Sequence, residues 1–505
     1  MDIDINQFKR YIDKFYVGDD ESVQISNAEK WEWFKNNIPF FHCPDKILEE
    51  IYYFRWWTYQ KHIKHTPGGL IVTEFYPDVP WAGKYNSIVC SAPHHFYEGR
   101  WLKNNYLRDY ALFWFRGGGS LRSYSCWLAD AIYNYCSVNS DFSLCEDLLP
   151  DFVENYNGWE CSNLHESGLF WSDDDRDGME FSISGKGLRP TLNSYMYADA
   201  MAISHIAQLA GKPHIQTEFF EKAQLLKDRI QKLLWRAEDQ FFETIPLDTK
   251  DNPIDIGIRQ HVRELNGYIP WYFNIPDMGY ESAWRYVMDE KGFLAPFGIT
   301  SAEQNHEKFM LNFQHECLWN GPTWPFATAQ TLTALSNLLC NFSQNIVDKS
   351  DYNILLRQYA QCHYRRKLNG EIVCWLDENL DPFTGEWLSR KILKGWCWPP
   401  EKGGCERGKD YNHSTFCDLI ISGLVGLKPR ADSYLQVQPL VGDWSYFSLC
   451  DIAYHGKKID IIYDRNGNTY NAGTGFKVFV NDRIVYASDE ITSTIINLSS
   501  TSPHL

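Results

Sequence analysis

The chain has 505 residues and a formal net charge of −17, long enough for one large domain plus a small one. That acidity argues against nucleic acid or an anionic membrane surface as partner, since both need a basic face. With 44% hydrophobic and 22% charged residues, the composition is that of a globular protein able to bury a real core.

Aromatic residues are the unusual component: 20 Trp, 30 Tyr and 30 Phe. Most are expected in the core. Yet Trp81, Trp101, Trp171, Trp319, Trp324, Trp396 and Trp398 stand beside Gly, Pro, His or acids rather than inside apolar runs. Flat rings stack on the C–H faces of sugars while neighbouring acids and amides bond the hydroxyls, so this mixture predicts a carbohydrate groove. The 14 cysteines show no CxxC pairing and predict small core thiols in a reducing compartment, with no metal site and no cofactor. No apolar run approaches a membrane span. The first fifteen residues carry no secretory h-region, and the cytoplasm is the expected location.

In chain order, Pro80-Trp81-Ala-Gly83-Lys84-Tyr85 and His94-His95-Phe-Tyr97-Glu98-Gly-Arg100-Trp101 come first. Adjacent histidines in an extended segment point to opposite faces, which favours sugar-hydroxyl contacts over a metal-ligand pair. Phe115-Arg116-Gly117-Gly-Gly119 lacks the Lys-Ser/Thr of a phosphate-cradling loop. Arg176-Asp177-Gly178-Met179-Glu180-Phe181-Ser182 offers a carboxylate in an aromatic, glycine-bearing stretch. Helices are predicted over 192–211, ending on a capping glycine, and over 217–235 along a stripe from Phe219 and Phe220 to Leu234.

Gln314-His315-Glu316-Cys-Leu-Trp319-Asn320-Gly321-Pro322-Thr-Trp324-Pro325 reads as a stiff turn that projects Trp319, Asn320 and Trp324, just before a helix over 325–339. Trp375-Leu-Asp-Glu378-Asn-Leu-Asp381-Pro382-Phe-Thr384-Gly385 places a second acid ahead of a rigid Asx-Pro turn. Pro382 fixes its own φ and biases Asp381 away from helix, while Gly385 permits the reversal. Arg407-Gly-Lys-Asp410-Tyr411-Asn412-His413 precedes a fourth helix over 415–424. Past Pro429 the pattern alternates as strands over 435–440, 458–463 and 476–480, with turn residues at 464–467 and 481–482. Two domains are therefore expected: a helical body over 1–429 and a small antiparallel β domain over 430–505. The β unit is placed to shield one end of the body or to meet a second subunit of a homo-oligomer, and nothing in the residues chooses between these.

Two carboxylates from distant segments facing one pocket are what inverting glycoside hydrolysis uses: a protonated acid near the leaving oxygen and an ionised base that activates water. Glu180 is the acid candidate, desolvated by Trp171, Met179 and Phe181, and Glu378 the base candidate. Candidate sugar contacts are Trp81, Tyr85, His94, His95, Glu98, Arg100, Arg176, Trp319, Asn320, Trp324, Trp398, Tyr411 and His413.

The motifs carry a family resemblance. Gly178-Met-Glu180-Phe-Ser182, followed by Pro190-Thr-Leu-Asn193-Ser-Tyr-Met-Tyr197, resembles the Gly-Trp-Asp-x-Ser … Asp-Leu-Asn-x-x-x-Tyr pattern of trehalase-like enzymes. Trp319-Asn-Gly-Pro-Thr-Trp324-Pro resembles the Trp-x-Gly-Pro-x-Trp-Pro motif of glycoside hydrolase family 63. Glu378-Asn-Leu-Asp381-Pro-x-Thr-Gly385 is similar to that family's Glu-x-Tyr-x-Pro-x-Thr-Gly, which carries its general base. Order and spacing match the mannosylglycerate hydrolase-like and trehalase-like group over most of residues 70–430.

The resemblance implies a mainly α fold, an (α/α)6 toroid or six-hairpin barrel, and an inverting exo-type glycosidase acting on an oligosaccharide or small glycoside. It carries the base role onto Glu378 and the acid role onto Glu180, where the family has Asp; Asp177 is the alternative acid. That change, with Leu380 in place of the family's Tyr, points away from trehalose as substrate. A polysaccharide lyase on an α-toroid would instead use Tyr85, His94 and Arg100 beside a uronate, which the acidic balance disfavours. A glycoside phosphorylase would need a basic anion pocket. A sugar-binding relative without catalysis is the non-enzyme alternative.

Overall fold

The computed structural model describes residues 3–18, 27–248, 250, 261–311 and 315–501, so Gln314 lies outside the described residues. Helices dominate up to residue 424 and fall into two kinds. Lys46–Lys61, Pro190–Leu209 and Pro325–Asn341 bury residues on nearly every side, including Tyr52, Trp56, Tyr195, Met196, Phe326 and Leu335. Such helices are interior ones. Pro213–Arg229 buries only Phe219, Ala223 and Leu226 and packs along Pro190–Leu209 as an outer layer.

Local chemistry sets the helix starts. The Asp45 carboxylate accepts from the Ile47 and Leu48 amides at 3.0 and 3.3 Å, and Asp348 with Asp351 closes a reciprocal cap on Lys349–Gln361. Prolines open Pro190–Leu209, Pro213–Arg229 and Pro325–Asn341, where a missing N–H costs nothing. The helix expected over 217–235 ends at Arg229 and passes through a π turn, Ile230–Leu234, into a short strand. Phe220 and Leu233 of its stripe are exposed.

Two expectations are corrected. His94 and His95 lie in a helix, Ala92–Gly99, because Pro93 sits at its first turn and starts it. The helix over 415–424 shortens to a π-helical turn, Leu419–Leu424. Ahead of it, the amides of Phe416, Cys417 and Asp418 turn to the buried carboxylate of Glu98, with N–O distances of 2.8 to 3.2 Å.

The C-terminal strands form an antiparallel sheet in the order Phe40–His42, Tyr446–Tyr454, Lys457–Asp464, Gly475–Val480, Arg483–Ser488. Its first strand comes from the N-terminal part of the chain, with Phe40 opposite Cys450. Asn481 and Asp482 both take positive φ, as a two-residue hairpin turn requires. One apolar core runs from Phe8 through the helices to Phe476, so helices and sheet share an interior. No helix of the described residues is long and apolar enough to cross a membrane.

Glu98 holds three backbone donors that nothing else reaches. Leaving them unpaired costs about 1–3 kcal/mol each. Glu98→Ala should therefore lower the thermal unfolding midpoint clearly, while Glu98→Gln, which keeps an acceptor oxygen, should lose much less; differential scanning calorimetry of the two variants checks this.

Candidate active site

A cavity of about 490 Å³ opens where Pro325–Asn341 begins and where three long loops meet. Its lining includes Glu74, Trp81, Glu180, Trp319, Trp324, Trp398, Arg407, Tyr411 and His413. Trp319 and Trp324 stack with ring centres 4.4 Å apart and planes at 11°. The Trp324 indole donates to the Leu318 carbonyl at 2.7 Å, which fixes the paired rings as one wall.

Glu180 reaches this wall because its carbonyl accepts from the Trp319 amide at 3.0 Å. The loop beneath it is locked by Asp177. That carboxylate is fully buried and accepts from Ser125 Oγ at 2.7 Å, Arg189 Nε at 2.6 Å and the Thr191 hydroxyl. Asp177 does not line the cavity; it anchors the turn that presents Glu180. Glu264 adds a second anchor, accepting from the Ile183 amide at 2.8 Å. Burial pushes the Glu180 carboxyl up to about 8, helped by the negative charges of Asp175, Glu378 and Asp174.

Glu378 sits 1% exposed behind the lining. The Asx-Pro turn that follows it has the expected form: the Asp381 carboxylate accepts from the Phe383 and Thr384 amides at 2.8 and 3.0 Å, and Gly385 takes φ +72°. Leu380 exchanges two backbone hydrogen bonds with Thr323, which ties the base-candidate segment to the Trp319–Trp324 turn. Arg407 Nη2 stands 3.0 Å from Glu378 Oε1 and 3.0 Å from Glu316 Oε1. Its guanidinium also lies 4.8 Å from the Trp81 ring centre and 5.2 Å from that of Trp398. The Cys317 thiol, raised well above its ordinary range by burial, donates to Glu378 Oε2 at 3.3 Å. Gly408 makes the approach of Arg407 possible: a Cβ there would stand 2.1 Å from Asp377 Oδ1.

A third carboxyl, Glu74, is absent from the sequence candidates. It accepts from the Tyr411 hydroxyl at 2.7 Å, while its other oxygen is buried without a partner. Burial and the charges of Glu378 and Glu180 push it up to about 8. Neither Glu74 nor Arg407 belongs to a short motif, and only the polar-aromatic run from Arg407 to His413 gives a signal. Residues 410–413 are held by distant partners: His62 Nε2 donates to the Asp410 carbonyl at 2.7 Å, His95 Nε2 to the Asn412 carbonyl at 2.6 Å, and the Asn412 amide to the Glu74 carbonyl at 2.9 Å.

The remaining candidates fall elsewhere. His95 is a buried clamp on Asn412, its second nitrogen 2.9 Å from the Tyr110 hydroxyl. His94 is packed between Trp127 and Phe326 in the floor. Glu98 caps residues 416–418, and Arg100 pairs with Asp418 at 2.7 Å. Arg176 bonds the Arg122 carbonyl and stacks on Trp159. Tyr85 packs against Phe113, and the Asn320 amide donates to the Leu311 carbonyl. None of these side chains lines the cavity. His315, Glu316 and Cys317 bring possible metal-ligating atoms within 4.8 Å of one another. All three are already engaged, His315 Nδ1 by the Cys317 amide at 3.1 Å, Glu316 by Arg407 and Cys317 by Glu378.

Buried acids and stacked tryptophans thus meet in one cavity of a largely helical body. The chain matches the family model of the mannosylglycerate hydrolase MGH1-like glycoside hydrolase domain over residues 84–414, and it belongs to that family. A solved chain named "Sialidase" is 39% identical with a TM-score of 0.88; the match covers 97% of this chain and 44% of that one, so this chain spans less than half of its length. The GH63 mannosylglycerate hydrolase from Thermus thermophilus, in complex with glucose, shares the fold at 13% identity and a TM-score of 0.50, covering 73% of this chain and 98% of that one. The GH78 family rhamnosidase of Bacillus sp. GL1 does so at 12% identity and 0.53, covering 84% and 40%.

Breaking a buried pair by removing one charge costs about 3–5 kcal/mol. Asp177→Asn should therefore lower the unfolding midpoint strongly, seen by circular dichroism melting, with any loss of activity following that of structure. Gly408→Ala, whose Cβ would meet the buried Asp377 carboxylate, should displace Arg407 from Glu378 and so lower both turnover and the melting midpoint.

Proposed function

We propose that this chain is an inverting, exo-acting glycoside hydrolase in which Glu180 is the general acid and Glu378 the general base. The observation that carries the reading is the opposite treatment of two carboxyl groups in one aromatic cavity. Glu180 has no cationic partner among the described residues, and burial pushes it up to about 8, so it holds a proton at neutral pH. Glu378 is ion-paired with Arg407. A desolvated carboxyl beside an ion-paired one supports the acid role for Glu180 and the base role for Glu378. In the reaction, Glu180 gives its proton to the leaving glycosidic oxygen, and Glu378 takes one from the water that attacks the anomeric carbon from the other face. The Trp319–Trp324 stack and Trp81 and Trp398 would grip the sugar faces, and Glu74 with Tyr411 the hydroxyls.

A mainly helical body with interior and exterior helices supports the (α/α)6 arrangement as its architecture. All fourteen cysteines are free thiols, which supports a reducing compartment such as the cytoplasm.

Glu180→Gln and Glu378→Gln should each lower kcat by orders of magnitude, with the melting curve of Glu180→Gln unchanged and a lower midpoint for Glu378→Gln, which removes one charge of a buried pair. Retained turnover in Glu180→Gln would remove the acid assignment. Because the acid must be protonated, activity should hold through neutrality and fall as pH rises through about 8. An activated aryl glycoside, whose leaving group needs no protonation, should restore turnover to Glu180→Gln and erase that alkaline limb. Glu74→Gln should raise KM more than it lowers kcat and leave the limb in place, as measured by full pH–rate profiles.

A further inference from the structure

We propose that a second cavity, separate from the catalytic one, binds a small hydroxylated carboxylate between Arg100 and Lys428. The cavity measures about 420 Å³, within the size range of small-ligand sites. The helix Pro325–Asn341 serves both cavities: Phe326 faces the catalytic one, while Thr333, Ser336 and Asn341 line the second. Seven residues from 326 to 333 correspond to about 10 Å along the helix axis. Between the two lies a packed layer in which His94 contacts Phe326 and Trp127, and Trp127 contacts Tyr272.

The charges in this cavity do not balance internally. Arg100 is 3% exposed; its Nε and Nη2 donate to Asp418 Oδ1 at 3.2 and 2.7 Å, and Nη2 also to Ser422 Oγ at 3.0 Å. Its Nη1 is buried with no partner. Lys428 donates to Ser336 Oγ at 2.9 Å and has no carboxylate within ion-pair distance among the described residues. One oxygen of Asp418 already receives Arg100, the Trp101 indole and the Ser422 hydroxyl. The other acid in the lining, Asp130, accepts from the Tyr97 hydroxyl at 2.5 Å, and burial pushes it up to about 7, so it is only partly ionised near neutrality. His205, also in the lining, is held below its ordinary value by burial and adds no charge.

Arg100 and Lys428, the latter's ammonium lowered from its ordinary range by burial, therefore face Asp418 and a partly protonated Asp130 inside a protein of net charge −17. A carboxylate in the cavity meets the Lys428 ammonium and lies beside the Arg100 guanidinium, which also lines it. The amides of Asn134 and Gln438 and the rings of Tyr133 and Tyr197 suit a hydroxylated body attached to it. This site is independent of the hydrolase reading.

Isothermal titration of the full chain with glucuronate and with glycerate tests it, with the methyl ester of glucuronic acid and glucose as neutral controls. The expected result is saturable binding of at least one of the two anions but of neither control. Lys428→Met should weaken it about tenfold or more with hydrolysis unchanged, and Trp398→Ala, in the catalytic cavity, should leave it intact. Met201→Trp, which adds bulk to the cavity lining and leaves both cations in the sequence, should abolish binding and provides a second variant should Lys428→Met fold poorly. Equal binding of the ester, loss in Trp398→Ala with retention in Lys428→Met, or no binding of either anion would overturn the proposal.

Discussion

The site depends on one guanidinium. Arg407 bridges Glu378 and Glu316, lies against Trp81 and Trp398, and comes from a segment that the rest of the cavity wall holds in place. A buried carboxylate beside two other acids is stable only with such a partner. With it, Glu378 can carry charge close to Glu74 and Glu180, and that charge in turn helps keep both of those carboxyls protonated. The proposed division of labour among these acids thus rests on the position of one cation.

That position is set by distant contacts. Gly408 clears the space beside Asp377, and His62, His95 and the Glu74 backbone hold residues 410–412 from three other segments. His95 illustrates how a residue outside a cavity can still define it: as a neutral imidazole, its Nε2–H fixes the Asn412 carbonyl, and the hydroxyl of Tyr110 fixes the ring. The same economy appears at Asp177, whose buried ion pair with Arg189 presents Glu180 without itself reaching the cavity.

What can be read from the sequence is what is local. The turn after Glu378 and the Trp319–Trp324 turn are legible because proline, glycine and Asx chemistry determine them within a few residues. Glu180 stands out through its glycine-bearing neighbourhood. Glu74 and Arg407 do not, because their roles arise only when separate segments meet, Glu74 with Tyr411 across 337 residues and Arg407 with Glu316 across 91. Glu98 and Arg100 mislead for a related reason: a charged residue next to aromatics looks like a sugar contact, yet both are buried to satisfy the backbone and an acid near residue 418. The histidine pair reads as extended, although Pro93 starts a helix there. The strand Phe40–His42 is invisible for want of its partner, Tyr446–Tyr454, four hundred residues later.

The central claim, that Glu378 activates water on the face opposite Glu180, is tested most directly by proton NMR of the first product. A panel of aryl glycosides and oligosaccharides identifies a cleaved substrate, and spectra taken before mutarotation show the anomer released. The account predicts an anomer opposite in configuration to the substrate. Release of the same anomer would contradict it, because Glu378 would then be a nucleophile or a bystander rather than the base.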